Sequence, residues 1–374
     1  MKDKSQLEAK LKEKIIEFKK IIISGEEKMI KIFNKVYVEN NSSNFNYSQS
    51  YFLYKEREKI ISEIKTLSWA LEKDVSLNLY DYLTSDFSNS STYIYSDVIY
   101  IETFGGLGDC LMMTPALNSL KLLNPNVKIY IYCKNISHHE ILKNNPNIDC
   151  FIDDQMLNEI KEKLVCIDIY NLFPSLIYPK KVSEIICQIF KTKYLGDNLD
   201  IYLQDEEILW GKDFISKFQN PICINPTSVC SKNQEWELHK WEELVEIVSS
   251  KGFSFIQIGK ADENYINGCI DLRSKFSIRQ CIAILNASKG FIGVDSFWQH
   301  AASALNIPAI VLFGDSSPSI WGHDNNINIY RGYECSPCFE ILYGQICPFS
   351  KRCMNDISVN EVLNKIGLLL LKIE

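Results

Sequence analysis

The sequence lacks the long apolar segments that would carry a chain into or across a membrane. None of its 374 residues falls in an apolar run of the roughly 18 residues that a bilayer-spanning helix needs. Its first residues, MKDKSQLEAKLKEKII, are charged throughout and contain no apolar core of about 7–15 residues, so they are unlike a signal peptide. We therefore expect a cytoplasmic protein, with attachment to the inner face of the cytoplasmic membrane left open.

A surplus of positive charge is also lacking. Forty Lys and Arg residues stand against 47 Asp and Glu residues, which gives a net charge of −7 and a pI near 5.5. Because a protein that binds duplex nucleic acid usually presents a basic face, this balance argues against nucleic acid as a partner. Residues 1–35 differ, with ten Lys and six acidic residues. They fit a solvated helix face or, alternatively, a contact with an anionic membrane surface or a protein partner.

The complete glycine motifs of nucleotide-binding loops are missing as well. In TFGGLGDCLMMTPAL, Gly106 and Gly108 fit the first two positions of G-x-G-x-x-G, but Leu111 stands where the third glycine belongs. No Gly-Lys-Ser/Thr follows, which excludes a P-loop. What remains is a glycine-rich turn, beginning at Gly105, that lets another group approach the backbone and leads into Asp109.

Asp109 has two interpretations. Asp is a favoured N-cap residue, so capping of the helix that follows would by itself account for it. The residue also follows the carboxyl end of a predicted strand, where its carboxylate could take the proton from a hydroxyl group as a general base. The residues alone leave both interpretations open.

From residue 96 onward, short apolar runs alternate with helical patterns. Strands are predicted at 98–103, 128–133, 150–153, 165–170, 222–225, 253–259, 290–294 and 309–314. This alternation is typical of parallel, doubly wound α/β sheets. We predict two such units, 96–204 and 205–330, which face a cleft at the carboxyl ends of their strands. A mostly helical extension at 1–95 and a Cys-rich finger with a C-terminal helix at 331–374 complete the prediction.

Polar residues follow two strands of the second unit. Thr227, Ser228 and Lys232 lie after the first of these strands, and their hydroxyls and cation suit phosphate oxygens, although a polar surface loop has the same composition. Asp262 and Glu263 follow the next strand, where a carboxylate can accept a hydrogen bond from a ribose hydroxyl.

A third strand, GFIGV, leads into Asp295 and a helix. The free N–H groups and positive dipole end at the start of a helix suit a diphosphate. His300 lies about one turn further along. A lone His near a helix start more often has a structural role, but the spacing Asp-x4-His at this position is suggestive of a functional pair, Asp295 and His300.

Four of the 13 cysteines are clustered near the C-terminus: Cys335, Cys338, Cys347 and Cys353. The other nine are scattered through apolar segments, where a reduced Cys packs as a small hydrophobic residue. Four thiols so close together in a cytosolic chain are typical of a metal site rather than of disulfides. Zinc or iron fits such a site, and with no ligand position left open the metal would be structural. Unligated thiols are the alternative.

Taken in order, these segments resemble glycosyltransferase family 9, the ADP-heptose-dependent heptosyltransferases. The resemblance runs from about Asp97 to Lys365 and rests on GLGDCLMMTPALNSLK, NPNIDCFID, PTSVCSK and GVDSFWQHAASALNIPAIVLFG. It implies a GT-B enzyme, in which two Rossmann-like domains face a central cleft and transfer inverts the anomeric carbon without a catalytic metal.

The resemblance also implies roles for single residues. Asp109 would be the general base on the acceptor hydroxyl, next to an acceptor loop formed by Gly105, Gly106 and Gly108. The donor would be bound by Thr227, Ser228 and Lys232 at the ADP phosphates, Asp262 or Glu263 at the ribose, Asp295 and Phe297 at the sugar, and Ser296 and His300 beside the diphosphate.

The sequence departs from the family pattern at two points. The family usually has a glycine two residues after the sugar-binding Asp, and here Phe297 stands there, which puts the identity of the donor sugar in question. Lys232 is usually followed closely by Trp-Pro, whereas here NQE precedes Trp236 and no Pro follows it. The assignment of Lys232 to the phosphates is weaker for that reason.

Several alternatives stay open. The cysteine cluster and the N-terminal addition resemble the autotransporter heptosyltransferases, in which the cluster binds iron and the enzymes assemble into rings. A protein acceptor and a homo-oligomer therefore stand beside a lipopolysaccharide-core, lipid-linked or other glycan acceptor. From other functional classes, the alternatives are a catalytically silent GT-B scaffold and another enzyme of nucleotide sugars.

Overall fold

The computed structural model describes residues 97–160, 165–166, 180–190, 192–333, 336–339, 347 and 350–371. The predicted helical extension at 1–95 and Cys335 lie outside these ranges, so the prediction for the extension is not tested. All described residues belong to one compact unit, which contains two parallel sheets.

The first sheet has four strands in the order β3-β2-β1-β4. They are β1 (Val98–Glu102), β2 (Lys128–Tyr132), β3 (Cys150–Phe151) and β4 (Val165–Cys166). Its helices are α1 (Leu107–Met112), α2 (Thr114–Leu123), α3 (Ile136–Leu142), α4 (Asp154–Ile160) and α5 (Val182–Ile189). The chain runs outward from β1 to β3 and then returns to the other side of β1. The topological switch point of this sheet therefore lies between β1 and β4.

The second sheet has six strands in the order β10-β9-β8-β5-β6-β7. They are β5 (Pro221–Asn225), β6 (Ser254–Gln257), β7 (Ile270–Asp271), β8 (Gly290–Val294), β9 (Ala309–Phe313) and β10 (Ile327–Tyr330). Its helices are α6 (Asp205–Ile215), α7 (Leu238–Ser249), α8 (Ile278–Ala287) and α9 (Phe297–Ala304), followed by α10 (Arg352–Asn355) and α11 (Val359–Leu371). Because β8 returns beside β5, this switch point lies between β5 and β8.

The central strands of the second sheet are buried along their whole length. Every residue of β5, β8 and β9 is buried. Continuous apolar strands of this kind are typical of a parallel sheet that is covered by helices on both faces. The loops at the carboxyl ends of these strands are then the places where polar side chains can meet a ligand.

The helix expected to follow Asp109 is divided into two. α1 ends at Met112, and α2 begins at Thr114 with Pro115 in its first turn. A proline inside a helix has no N–H to donate and its ring meets the carbonyl four residues earlier, so one continuous helix is disfavoured here. The edge strands β7 and β10 were not predicted, because runs this short carry no clear periodicity.

Arg279 on α8 connects segments that are far apart in the sequence. Its guanidinium donates to Glu207 Oε1 at 2.7 Å, to the carbonyl of Glu140 at 3.0 Å and to the carbonyl of Tyr202 at 2.9 Å. Arg279 is only 6% exposed, so these contacts replace its hydration shell. They join the first sheet's α3 to α6 and α8, and the domain boundary predicted at 204 remains a prediction.

Within the part of the chain that the structure describes, no helix is both long enough and apolar enough to cross a bilayer. The C-terminal helix α11 buries Val362 and Ile366 in a cluster shared with α7. The predicted C-terminal helix is therefore part of the core of the second sheet.

Candidate active site

Asp109 lies in the turn that follows β1, at the switch point of the first sheet. It is the third residue of α1 and not its N-cap, which is Gly106. The N-cap interpretation was wrong because Gly106 already adopts the extended conformation that precedes a helix, with φ −94° and ψ −173°. The Asp109 carboxylate reaches back and accepts a hydrogen bond from the N–H of Gly106 at 2.6 Å, while its side chain is almost fully buried.

Two glycines of this turn are in close contact with other side chains. Gly105 has φ +58°, and a Cβ there would lie 2.1 Å from Oδ2 of Asp109. A Cβ on Gly108 would lie 2.7 Å from Cδ2 and 3.1 Å from Nε2 of His300. The glycines therefore make room for Asp109 and His300, and the acceptor that they were predicted to admit stays a prediction.

Asp295 ends the central strand β8 at the second switch point. Its Oδ1 accepts from Gln299 Nε2 at 2.7 Å, and its Oδ2 accepts from the hydroxyl of Ser316 at 2.5 Å. Burial raises the pKa of the Asp295 carboxyl group, and these two hydrogen bonds partly offset that shift. Ser296 is the N-cap of α9, and its buried hydroxyl has no hydrogen-bond partner among the described residues.

His300 belongs to a chain of buried side chains that the sequence did not predict. Its Nδ1 lies 2.8 Å from Nε2 of His323, and Nδ1 of His323 lies 2.7 Å from Oδ2 of Asp197. Burial and the charge of His323 lower the pKa of His300 well below its usual value. His323 and Asp197 stand in irregular segments distant in sequence from α9, so no local pattern reveals their pairing.

The loop after β5 carries Thr227, Ser228 and Lys232. Ser228 is buried, and its hydroxyl donates to Gln234 Oε1, while Thr227 is half-buried. The side chain of Lys232 is 76% exposed, and its ammonium lies 2.7 Å from Glu235 Oε1. The structure therefore holds Ser228 firmly in the loop, whereas Lys232 is directed to solvent and ion-paired.

Cys230, in the same loop, lies near carboxylates that follow strands of both sheets. Burial raises the pKa of its thiol to about 11, and the negative charges of Asp109, Asp295 and Asp315 contribute to this shift. The charge of Lys260 acts in the opposite direction. Carboxylates from the ends of both sheets therefore lie within electrostatic reach of one thiol.

Asp315 and Ser316 are site residues that the sequence prediction missed. They follow β9, so they stand at the carboxyl end of a strand, as Asp295 does. Asp315 accepts from Ser231 Oγ at 2.5 Å, and its backbone carbonyl accepts from the N–H groups of Cys338 and Phe339. The signal was present in FGDSSP: an acid and two serines follow a buried strand.

Glu263 and Asp262, the two candidates for the ribose, differ in their placement. Glu263 accepts from Asn225 Nδ2 at 2.9 Å and from the N–H of Lys260 at 3.0 Å, and burial raises its pKa. Asp262 is exposed. The structure therefore fixes only Glu263 at the edge of the second sheet, next to the end of β5.

Part of the chain matches a known protein family. Residues 196–344 match the model of glycosyltransferase family 9 (heptosyltransferase). This segment is a glycosyltransferase family 9 domain. It contains Asp197 and every predicted donor-binding residue, whereas Asp109 lies outside the matched residues.

Relatives extend the similarity to more of the chain. Lipooligosaccharide heptosyltransferase 2 of Campylobacter jejuni subsp. jejuni serotype O:6 is 22% identical, and the match covers 72% of this chain and 98% of that protein. Together with the family 9 domain, this relationship makes the chain a glycosyltransferase.

Solved structures share the fold. A glycosyltransferase of family 9 from Veillonella parvula DSM 2008 has a TM-score of 0.60 at 17% identity, over 75% of this chain and 99% of the other. The iron-containing dodecameric glycosyltransferase TibC from enterotoxigenic E. coli H10407 has a TM-score of 0.59 at 16% identity, over 74% of this chain and 77% of TibC. The predicted GT-B architecture is confirmed.

The family 9 domain ends inside the predicted cysteine finger, between Cys338 and Cys347. Cys338 and Cys353 are buried and Cys347 is half-buried, while Cys335 lies outside the described residues. The finger contacts the donor loop, since the N–H of Cys347 donates to Asn233 Oδ1 at 3.0 Å. Among the residues with described placement, no three Cys, His, Asp or Glu side chains form a group that could hold a metal ion.

Proposed function

We propose that this glycosyltransferase moves a heptose from ADP-heptose to a hydroxyl group of a glycan, a lipopolysaccharide core or a protein, with inversion at the anomeric carbon. The observation that carries this proposal is the close contact between Gly108, next to Asp109, and His300 on α9, which follows Asp295, because it brings the two candidate centres of chemistry to one place. The donor is suggested by TibC, which has also been solved in complex with ADP-D-beta-D-heptose.

Asp109 is the proposed general base. A carboxylate activates an acceptor by taking the hydroxyl proton as the oxygen attacks the sugar. The hydrogen bond from Gly106 to Oδ2 fixes the orientation of the carboxylate, and the rigid start of α1 fixes its position. Attack from the side of the first sheet, with ADP departing towards the second, would invert the anomeric carbon.

The start of α9 is the proposed site of the diphosphate. The positive end of the helix dipole stabilises negative charge there, and the Ser296 hydroxyl can donate a hydrogen bond. Negative charge that develops on the departing ADP is then stabilised without a catalytic metal. Lys260 and Lys232 are nearby cations, and Lys232 would have to exchange Glu235 for a phosphate.

Asp295 is the proposed partner of the sugar hydroxyls. An ionised carboxylate offers about four acceptor positions, and Gln299 and Ser316 occupy two of them. The remaining positions can accept from two hydroxyls of a heptose. Phe297, half-buried beside it, would shape the pocket where the family usually has a glycine.

The principal test is transfer itself. Incubation with ADP-heptose and a panel of acceptors should release ADP, and NMR of the product should show the inverted anomeric configuration. Asp109→Asn should lower kcat by about 10²–10⁴-fold, because the amide cannot take a proton, while it can still accept from Gly106. The affinity for ADP should be unchanged in this variant, since Asp109 does not bind the donor.

Controls separate this proposal from its alternatives. Asp213→Asn changes an exposed carboxylate on α6 and should leave kcat as it is. Turnover of Asp109→Asn at the normal rate would refute the base assignment. Failure to bind ADP in calorimetry would instead favour a GT-B protein that does not transfer sugars. Activity should survive chelation that leaves Tm unchanged, and a loss of activity at unchanged Tm would refute metal-independent transfer.

A structural zinc or iron at Cys335, Cys338, Cys347 and Cys353 remains a proposal, as do homo-oligomerisation and a cytoplasmic location. TibC is described as iron-containing and dodecameric, which motivates the first two. The described thiols by themselves do not fit a metal site, and the steps above involve no metal at the finger. Elemental analysis, light scattering and cell fractionation test these three statements directly.

A further inference from the structure

Three buried side chains form a hydrogen-bonded chain that ends beside the candidate base. Asp197 accepts from His323, His323 pairs with His300, and Nε2 of His300 faces Gly108, next to Asp109. The exposed fractions of His300 and His323 are 4% and 2%, so water does not separate the rings from their partners. Among the described residues, the Nδ1 atom of His300 makes the hydrogen bond to His323 and its Nε2 atom makes none.

The carboxylate at one end determines the proton positions along the chain. An ionised carboxylate only accepts hydrogen bonds, so Nδ1 of His323 carries a hydrogen. When His323 is neutral, its Nε2 is an acceptor, and Nδ1 of His300 must donate to it. The remaining nitrogen of His300, Nε2, then presents a lone pair to the site.

Protonation of His323 reverses this arrangement. Both nitrogens of a cationic imidazole are donors, so Nε2 of His323 then donates to Nδ1 of His300. His300 itself stays neutral, because burial and the adjacent charge hold its pKa low. Its single hydrogen must therefore lie on Nε2, which becomes a donor at the start of α9.

We propose that Asp197 and His323 are positioning residues that set the tautomer of His300, and that a diphosphate beside His300 is bound in the state in which His323 is protonated. This inference rests on the proposed function, because the diphosphate is that of the nucleotide-sugar donor. An anionic oxygen repels a lone pair on Nε2 and accepts a hydrogen bond from an N–H there.

The change of state is balanced by one proton. The hydrogen on Nδ1 of His300 moves to Nε2 of His323, and Nε2 of His300 takes up a proton from the buffer. No bond between heavier atoms forms or breaks. Binding of the donor should therefore be accompanied by the uptake of about one proton where His323 is initially neutral.

Several charged groups surround His323. Nδ1 of His323 lies 2.7 Å from Asp197 Oδ2, and Ser183 Oγ donates to the other oxygen of Asp197. The Lys181 ammonium lies 3.9 Å from Asp197 Oδ2. The other titratable groups nearby are Asp295, whose pKa the charge of His323 lowers, Asp324, which lies 3.1 Å from the Lys181 ammonium, and Tyr194, which senses the charge of Asp197.

The test uses the full chain with ¹⁵N-labelled histidine and ADP as the probe. The chain has five His residues, so single substitutions assign the ring nitrogens. Above the pH at which His323 loses its proton, His300 should carry hydrogen on Nδ1, and ADP should move it to Nε2. Calorimetry in two buffers of different ionisation enthalpy should then show uptake of about one proton. If ADP binds and His300 keeps the same protonated nitrogen, the inference is wrong.

An absence of ADP binding would count against the proposed donor. The link between the protonation of His323 and the tautomer of His300 could still be tested without ADP. In the protein without ADP, lowering the pH should move the hydrogen of His300 from Nδ1 to Nε2 as His323 becomes charged. If His323 titrates and His300 does not change tautomer, the inference fails independently of the proposed function.

Variants give a kinetic test. In the wild type, the KM for the donor should rise with pH, by up to about tenfold per unit, once His323 loses its proton. In His323→Gln, the amide nitrogen can donate to Nδ1 of His300 at every pH, so the KM should no longer depend on pH. His239→Gln alters an exposed histidine on α7 and should behave as the wild type. A KM with the same pH dependence in His323→Gln and the wild type would overturn the inference.

Discussion

The ring of His300 lies directly against Gly108, so a methyl group on that glycine would approach Cδ2 of the ring to 2.7 Å. This contact joins the helix that carries Asp109 to the helix that follows Asp295. The first prediction follows from it. Gly108→Ala should displace His300 from His323 and raise the KM for the donor at least tenfold. It should also lower Tm, because the His300 ring lies between Gly108 and its hydrogen-bond partner His323 and cannot move away without losing that bond.

Gly106→Ala is the matched control for this change. A Cβ at Gly106 would meet only Oδ2 of Asp109 at 3.7 Å, an ordinary contact, and its φ of −94° suits alanine. Thermal unfolding should show a much smaller change in Tm for Gly106→Ala than for Gly108→Ala. Equal changes in Tm would contradict the close contact between Gly108 and His300.

Asp295→Asn should separate stability from activity. Because burial raises the pKa of this carboxyl group, its ionised form at neutral pH opposes folding. The amide can accept from Gln299 and donate to Ser316, so the variant should keep its hydrogen bonds and show a Tm equal to or above that of the wild type. Transfer should be strongly reduced, since a sugar hydroxyl loses a charged acceptor. A stable variant with normal kcat/KM would refute the role of Asp295.

Arg279→Met should be strongly destabilising. It removes a buried guanidinium that donates to Glu207 and to two carbonyls, a loss that typically costs about 3–5 kcal/mol in the free energy of unfolding. Arg331→Met is the control, because Arg331 pairs with Glu361 at the surface and such pairs contribute about 0–1 kcal/mol. Urea unfolding measures both, and a similar small loss for the two variants would contradict a connecting role of Arg279.

The pKa of His300 predicts how stability depends on pH. The folded chain holds this pKa well below its usual value, so below about pH 6.5 the unfolded chain binds a proton that the folded chain does not. The free energy of unfolding should therefore fall with decreasing pH by up to about 1.4 kcal/mol per unit from this group, until folded His300 also protonates. His300→Gln should show a shallower slope between pH 6.5 and 5. His239→Gln should keep the wild-type slope, and identical slopes for all three proteins would count against the prediction.

Much of the candidate site could be predicted from the sequence, because its residues follow the carboxyl ends of predicted strands. The ends of β1, β5 and β8 could be located in the sequence from apolar runs, and Asp109, Ser228 and Asp295 could be selected because polar residues follow those runs. Asp315 and Ser316 obey the same rule after β9 and could have been found by applying it to every strand. The role of Lys232 was inferred from its residue type and from the family resemblance, and its exposed, ion-paired side chain shows that neither determines the direction of a side chain.

By itself, the sequence determined the two parallel sheets, the family resemblance and the acidic residues at the strand ends, because local periodicity and residue type carry that information. The tertiary structure decided which of these residues meet. Asp197, His323 and His300 are separated by 126 and 23 positions along the chain, yet they form one hydrogen-bonded line. Contacts of this kind depend on how loops from distant strands pack together, and no pattern within a single segment contains that arrangement.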